Sequence, residues 1–278
     1  MSISGAARLA GVLGWPVAHS RSPQLHGHWL AHYGIDGAYV PLAVRPEDLE
    51  TAVRGLVALG FRGANVTIPH KEAVLALCDS LSPRAERIGA VNTLLFGAEG
   101  IAGDNTDGFG FLANLRQEAP DWQASAGPAV VLGAGGAARA ILVALLDAGV
   151  PAVRLLNRTR ARAETLAAEL GGAIEVVDWE ARHAALDGAN LLANTTALGM
   201  TGKAPLELEL TQLPSAALVT DIVYAPLETP LLEEAKRRGN RTVDGLGMLL
   251  HQARPGFQSW FGVEPEVTPA LRQAVLEA

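Results

Sequence analysis

The sequence has few of the residues that build disulfides, zinc clusters or nucleic-acid surfaces. Its one cysteine, Cys78, excludes an internal disulfide and a zinc site built on several cysteines. The 22 Lys and Arg residues stand against 29 Asp and Glu, a net charge of −7, and no basic stripe with interleaved aromatic residues is present. No nucleic-acid partner is therefore expected. Because no run of about 18 apolar residues occurs, we expect neither a membrane-spanning helix nor a membrane partner.

The scarcity of cysteine is typical of a reducing compartment, and we expect a cytoplasmic protein. Residues 8–14 loosely imitate a short signal peptide, but this apolar run is brief and ends at Trp15-Pro16. A first β-strand is the better interpretation. The seven histidines are not spaced as metal ligands, so we expect no metal site.

Short apolar runs alternate with amphipathic segments along the chain, which predicts an α/β protein. The polar segment Pro120–Gly127 precedes a regular strand–helix alternation, which is typical of a mostly parallel sheet covered on both faces. We therefore expect two α/β domains with the ligand site in the cleft between them. Residues 1–110 and 246–278 would form one of these domains, and residues 111–245 would form the other.

Two helices of the first domain are predicted from their prolines. One spans Pro46–Leu59, with Pro46 in its first turn and Gly60 at its end. Another begins at Pro69, which would put Lys71 in a first helical turn. A lysine there opposes the helix dipole unless an anion lies nearby, so this position indicates a binding role. The alternative is an ordinary solvated lysine.

The segment from Ala129 to Ala140 predicts a dinucleotide-binding turn. A short apolar strand runs into Gly133-Ala134-Gly135-Gly136-Ala137 and then into an Ala- and Leu-rich helix. In this fingerprint Gly133 allows the tight turn, Gly135 lets the backbone approach a pyrophosphate, and Ala138 permits close packing of helix and strand. The start of the helix would direct its N–H groups at the phosphates.

The end of the next strand favours NADP over NAD. An NAD site has Asp or Glu there to bind the ribose 2′-hydroxyl, whereas this chain has Asn157-Arg158-Thr159, followed by Arg160 and Arg162. A carboxylate would repel a 2′-phosphate, and a guanidinium forms charge-assisted hydrogen bonds to it. The alternative is that these arginines form a solvated helical turn, which the helix dipole disfavours unless an anion is present.

Polar clusters in the first domain are candidates for substrate binding. Ser20 and Ser22 lie on one turn and suit a carboxylate or polyol ligand, although Ser22 could simply cap the helix that follows. Lys71 ends the cluster Asn65–Lys71, and Asp107, 36 residues later, is a candidate partner. Asp107 could instead cap a helix beginning at Gly108. Spacing alone does not decide whether the two residues pair.

Seven motifs, in this order along the chain, resemble the shikimate dehydrogenase family. They are Ser20-Arg21-Ser22-Pro23, Asn65–Lys71, Ala90-Val91-Asn92-Thr93, Gly103–Gly108, Gly133–Ala137, Asn157-Arg158-Thr159 and Asp244-Gly245-Leu246-Gly247-Met248. Each motif is weak alone, but the ordered set is specific and extends from residue 11 to about 255. The resemblance implies reversible, NADPH-dependent reduction of 3-dehydroshikimate to shikimate, within the shikimate pathway of chorismate and aromatic amino-acid biosynthesis.

The resemblance also implies that residues 1–110 and 246–278 form an N-terminal substrate domain and residues 111–245 a Rossmann-like NADP-binding domain. It further implies roles for individual residues. Lys71 and Asp107 would be catalytic. Ser20 and Ser22 would bind the substrate carboxylate, Thr67 and Asn92 the ring hydroxyls, and Tyr224 and Gln252 would close the pocket. The cofactor-binding residues would be Gly133, Ala134, Gly135, Gly136, Ala137, Asn157, Arg158, Thr159, Arg162, Ile222 and Gly245.

Two other functions are open at this point. A quinate/shikimate dehydrogenase often uses NAD, which Asn157-Arg158-Thr159 disfavours; the Ser20/Ser22 pair also resembles the shikimate-specific branch. A non-catalytic NADPH-binding regulator would be indicated by loss of Lys71 or Asp107, and both are present. The sequence does not decide between a monomer and a homodimer.

Overall fold

The computed structural model describes residues 3–277. The first part of the chain forms β1 (Arg8–Gly14), α1 (Ser22–His32), β2 (Gly37–Ala43), α2 (Leu49–Ala58), β3 (Gly63–Val66), β4 (Ser80–Leu81), α3 (Pro83–Ile88), β5 (Thr93–Gly97) and β6 (Gly100–Asp104). Next come α4 (Asp107–Glu118), β7 (Ala129–Leu132), α5 (Gly136–Asp147), β8 (Val153–Leu156), α6 (Arg160–Leu170), β9 (Ile174–Val177), β10 (Leu191–Asn194), β11 (Leu218–Asp221), α7 (Pro230–Arg237) and β12 (Thr242–Val243). The chain ends with α8 (Leu246–Phe261) and α9 (Pro269–Leu276).

The chain divides into two compact units. One extends to Thr106 and resumes at Leu250, and the other is Asp107–Leu249. Each contains a six-stranded sheet with helices, so the predicted α/β class is confirmed. None of the helices within residues 3–277 is long and apolar enough to cross a membrane.

The first unit has a mixed sheet in the order β2-β1-β3-β5-β6-β4. Strands β1, β2 and β3 are parallel, whereas β5 pairs antiparallel with both β3 and β6. One edge of this sheet therefore carries the carboxyl ends of β1, β3 and β6 together with the amino end of β5. Loops from four strands meet at that edge.

An aromatic cluster forms part of the first unit's core. The His26 ring stacks on Tyr39 with ring centroids 3.8 Å apart, beside Trp29, Phe257 and Trp260. Burial lowers the pKa of His26 to about 3, so the imidazole is neutral and acts as an aromatic core residue.

The second unit has a wholly parallel sheet in the order β12-β11-β10-β7-β8-β9. Successive strands are added outward in one direction from β7 to β9 and in the other from β10 to β12. Their order reverses between β7 and β10, and open parallel sheets bind ligands outside the carboxyl ends of strands at this point. The glycine turn lies there, directly after β7.

The structure differs from the sequence-based expectations at three points, and only the helix expected from Pro69 is absent. The predicted helix Pro46–Leu59 is a 3₁₀ turn, Pro46–Asp48, followed by α2. No helix begins at Pro69; a turn precedes the 3₁₀ segment Ala73–Leu77, because the Lys71 carbonyl accepts a hydrogen bond from the Val91 N–H at 2.8 Å. Ser22 does not cap α1 but begins it, and no side chain caps that helix.

Candidate active site

The predicted substrate residues of the first unit are collected by its sheet topology. Ser20 and Ser22 follow β1, Thr67 and Lys71 follow β3, and Asn92 immediately precedes β5. Because β5 is antiparallel to β3, with Asn65 opposite Thr93, Asn92 lies at the same edge as Thr67. The fold therefore gathers on one edge residues that are far apart in the sequence.

Asn92 has its amide orientation fixed by hydrogen bonds. It is 3% exposed, and its Oδ1 accepts from the Thr106 N–H at 2.9 Å, the Thr106 hydroxyl at 3.1 Å and the Thr93 hydroxyl at 2.9 Å. Its Nδ2 donates to Gln252 Oε1 at 3.3 Å. The structure thus joins two predicted substrate residues, Asn92 and Gln252, and presents Asn92 as a hydrogen-bond donor.

Ser22 lies at the end of a second chain of buried polar groups. It is 6% exposed, and its hydroxyl lies beside the phenol of Tyr39. The Tyr39 hydroxyl donates to Asn65 Oδ1 at 2.7 Å, and Asn65 Nδ2 donates to the Asn92 carbonyl at 3.1 Å. Burial raises the pKa of Tyr39 well above its usual range, so this phenol stays protonated. Ser20 is half-buried, and its hydroxyl accepts from the Ser22 N–H at 3.3 Å.

Thr67 and Lys71 occupy the turn after β3 and are both half-buried. The Thr67 N–H donates to the Leu13 carbonyl at 2.9 Å, and the Thr67 carbonyl accepts from the His70 N–H at 3.0 Å. Between them His70 is buried, with Nε2 2.7 Å from the Val44 carbonyl oxygen. The residues that precede Lys71 are thus anchored by hydrogen bonds, and the Lys71 carbonyl itself accepts from the Val91 N–H at 2.8 Å.

The second unit carries the remaining predicted site residues. Asp107 begins α4 and is 6% exposed, and Tyr224 is half-buried after β11. Ile222 and Gly245 lie together, because a Cβ placed on Gly245 would be 2.2 Å from the Ile222 carbonyl oxygen. That close backbone approach is a physical reason for glycine at 245. The predicted pairing of Lys71 with Asp107 stays a prediction.

The glycine turn has the geometry of a phosphate cradle. Gly133 has φ of 110°, and a Cβ there would lie 2.6 Å from Thr195 Oγ1. At Gly135 and Gly136 a Cβ would meet no atom within 4 Å, so the space beside the backbone is open. No side chain caps α5, and its first turn carries no acidic residue. These features fit a pyrophosphate at the start of the helix.

The arginines after β8 differ in whether they form ion pairs. Arg160 contacts both Asp178 and Glu164 at 2.7 Å. Arg158 and Arg162 are exposed and make no ion pair within the described part of the chain. Asn157 shapes this corner, since its Nδ2 donates to the Thr159 carbonyl at 2.9 Å. Two guanidinium groups are therefore available here for an anionic ligand.

A buried carboxylate that the sequence did not reveal fixes the segment after β11. Asp221 accepts from the Val223 N–H and from Asn194 Nδ2, each at 3.0 Å, and from the Thr229 hydroxyl at 2.8 Å. Burial raises its pKa. Asp221 thereby orders the segment that carries Ile222 and Tyr224. A lone polar residue at the end of an apolar strand was its only signal in the sequence.

Asn65, Tyr39 and Thr106 were likewise missed as supports of the site. Their side chains hold Ser22 and Asn92 from behind, as described above. Asn65 and Thr106 stood inside quoted motifs, but nothing in those motifs shows which side chain each contacts. No group of three or more His, Cys, Asp or Glu within residues 3–277 could hold a metal ion.

Three family models match the chain. Residues 12–94 match the shikimate dehydrogenase substrate binding domain, 115–201 match shikimate / quinate 5-dehydrogenase, and 245–276 match the shikimate 5′-dehydrogenase C-terminal domain. The shikimate dehydrogenase (NADP(+)) of Paramagnetospirillum magneticum is 62% identical over 275 residues, which are 99% of this chain and 100% of the relative.

Solved structures with the same fold include two related dehydrogenases. Shikimate 5-dehydrogenase from Thermus thermophilus, in complex with NADP(H) and shikimate, has a TM-score of 0.86 and 39% identity, covering 97% of this chain and 99% of that one. Quinate dehydrogenase from Corynebacterium glutamicum, in complex with NAD, has a TM-score of 0.92 and 31% identity, covering 98% and 99%. Overall fold therefore does not distinguish the two substrates.

Proposed function

The chain belongs to the shikimate dehydrogenase family, and from that membership we propose that it catalyses the reversible, NADPH-dependent reduction of 3-dehydroshikimate to shikimate. Its place is in the shikimate pathway of chorismate and aromatic amino-acid biosynthesis. The observation that carries the proposal is the edge of the first unit's sheet. A lysine, two serines, a threonine and an amide donor are gathered there on a rigid support.

Substrate binding is assigned to that edge. Ser20 and Ser22 bind the carboxylate, and Thr67 and Asn92 bind ring hydroxyls, with Asn92 donating because its Oδ1 already accepts from the Thr106 N–H. Gln252 and Tyr224 complete the pocket. The buried hydrogen bonds behind Ser22 and Asn92 keep both side chains oriented before the substrate arrives, which reduces the entropy lost on binding.

The chemical step is assigned to Lys71 and Asp107. NADPH, when bound, supplies a hydride to the carbonyl carbon. The carbonyl oxygen gains negative charge as this happens, and the Lys71 ammonium donates a proton to it; in the reverse direction the neutral amine accepts that proton. Asp107 accepts hydrogen bonds from Lys71 and from a substrate hydroxyl, which fixes both partners.

NADP is the cofactor, as the arginines of the sequence indicate and the NADP(+)-dependent relatives agree. The open backbone at Gly135 and Gly136, with Gly133, Ala134 and Ala137, holds the pyrophosphate. Asn157, Arg158, Thr159 and Arg162 hold the 2′-phosphate. Ile222 and Gly245 would lie against the nicotinamide. We also place the enzyme in the cytoplasm, and we expect either a monomer or a homodimer.

The reaction is tested by following NADP⁺ reduction with shikimate, in parallel with NAD⁺ and with quinate. Strong turnover of shikimate with NADP⁺ alone is expected. Dominant activity with quinate and NAD⁺ would instead place the enzyme with its quinate-oxidising relatives, and no turnover with any pair would refute the proposed activity.

The proton donor is tested by Lys71→Ala, which should lower kcat by about 10²- to 10⁴-fold and change KM much less. Lys236→Ala is a matched control, because Lys236 lies on α7 of the second unit and is exposed in an ion pair with Glu228. A rise in KM without loss of kcat in Lys71→Ala would make Lys71 a binding residue and refute its role as donor.

A further inference from the structure

Gly14, the last residue of β1, is buried directly beside Thr67. A Cβ on Gly14 would lie 2.5 Å from the Thr67 methyl carbon Cγ2, whereas its next neighbours, the Ile68 carbonyl oxygen and a Val17 methyl, would be 3.4 Å away. A separation of 2.5 Å between two carbons is far inside van der Waals contact. The Thr67 methyl carbon is therefore the only one of these three neighbours that leaves too little room for a side chain at position 14.

The backbone around Gly14 has little freedom to relieve such a contact. The Gly14 carbonyl accepts from the Val44 N–H at 3.1 Å, and the Thr67 N–H donates to the Leu13 carbonyl at 2.9 Å. The Trp15 N–H donates to the Ile68 carbonyl at 3.1 Å. Gly14 is also absent from the glycines with positive φ, so alanine is compatible with its backbone conformation. Glycine is required here for space and not for its dihedral angles.

We propose that Gly14 is a positioning residue that holds Thr67 in the rotamer that directs its hydroxyl to the substrate, an inference that rests on the proposed role of Thr67. The methyl and hydroxyl groups of threonine share one carbon, and χ1 has three staggered positions. A side chain at position 14 displaces the methyl into another staggered position, and the hydroxyl must move with it. The absence of a side chain at Gly14 thus leaves room for the Thr67 methyl group, and this fixes the direction of the Thr67 hydroxyl.

A double-mutant cycle tests this coupling. The KM for shikimate and kcat are measured for the wild type, Gly14→Ala, Thr67→Ser and the double variant. Gly14→Ala is expected to raise KM about three- to tenfold, the equivalent of one lost hydrogen bond, with a smaller change in kcat because Lys71 is not displaced. Serine keeps the hydroxyl and lacks the methyl, so the same alanine should cost less than about twofold in the Thr67→Ser background.

Gly11→Ala is the matched control for general damage to β1, because a Cβ there would meet the Val40 carbonyl and the Leu42 side chain. Its effect should be the same with Thr or Ser at position 67. Equal costs of Gly14→Ala in both backgrounds would overturn the inference, as would a crystal structure of Gly14→Ala with the Thr67 rotamer unchanged. If Gly14→Ala fails to fold, recovery of folding in the double variant supports the methyl contact, and no recovery overturns it.

Different results would refute the proposed function and this inference. A wild-type enzyme that does not oxidise shikimate refutes the function, while the Thr67 rotamer and the melting temperatures of the wild type and its three variants still report the contact. An active wild type with uncoupled variants refutes only the inference.

Discussion

Replacing Arg158 or Arg162 by alanine should weaken the binding of NADP⁺ and leave the binding of NAD⁺ unchanged. The two cofactors differ only in the 2′-phosphate, so a residue that binds this group contributes to one affinity and not to the other. Arg158 follows β8, and Arg162 lies in the first turn of α6. That turn contains no acidic side chain that would compete with a phosphate for the arginine. Arg158→Ala and Arg162→Ala leave the glycine turn intact, so the pyrophosphate site should be unchanged.

The size of the effect follows from charge and exposure. A hydrogen bond to a charged group contributes about 1.5–3 kcal/mol, and both guanidinium groups are exposed, where water and salt screen the attraction. The lower end of the range therefore applies, which is a loss of about tenfold in NADP⁺ affinity for each arginine. The double variant should lose roughly a hundredfold, with NAD⁺ affinity changed less than about twofold.

The assay is the dissociation constant for each cofactor, measured by titration calorimetry at two salt concentrations. Arg160→Ala is the matched control, since Arg160 belongs to the same segment but is engaged by Asp178 and Glu164. It should weaken NADP⁺ binding by at most about threefold. Higher salt should shrink the difference between NADP⁺ and NAD⁺ in the wild type. Equal losses for both cofactors in Arg158→Ala, or a dominant effect of Arg160→Ala, would refute the assignment.

Three further predictions concern buried or half-buried groups. Tyr39→Phe keeps the aromatic ring but removes the donor to Asn65 Oδ1, so urea denaturation should show about 1–3 kcal/mol less unfolding free energy; an unchanged value would contradict the buried hydrogen bond. Asp221 has a raised pKa in the folded state, so its ionisation lowers stability as pH rises from about 4 through that pKa. Asp221→Asn should therefore gain stability relative to wild type as pH rises over that range, and a pH-independent difference would contradict this. Burial and the charge of Asp79 raise the pKa of the Cys78 thiol to about 11, so alkylation at pH 8 should be roughly 100-fold slower than for an ordinary thiol. A rate typical of a free thiol would show that the group is not held as described.

The regular parts of the fold were predictable because their signals are local. In the second unit the strands, the glycine turn and the helices from Gly136 onward follow from apolar periodicity and from glycine, and the structure confirms them. The family and the use of NADP followed from ordered motifs and from Asn157-Arg158-Thr159, and both are confirmed by the relatives.

The conformation of the irregular parts was not predictable because it depends on hydrogen bonds to residues that are distant in the sequence. Pro69 is a helix-start signal, yet the chain turns there because Lys71 and His70 are bonded to residues 20 and more positions away. The short strands β4 and β12 have two residues each and no periodicity. The roles of the individual site residues stay predictions, since their contacts with substrate and cofactor are matters for the experiments above.

The polarity of the substrate edge also comes from contacts that no motif encodes. A flipped Asn92 would bring its NH₂ group against the Thr106 N–H, two donors facing each other, so the observed orientation is the one that leaves no buried donor in conflict. In that orientation Gln252 accepts from Asn92, and Gln252 can in turn direct its own NH₂ group at a ligand. Two amides that could each donate or accept are thereby set to donate. A hydroxyl group can accept from such donors while it donates to a carboxylate, whereas an ammonium group cannot accept at all. With a substrate bound at this edge as proposed, amides that donate favour a polyol over an amine of the same shape.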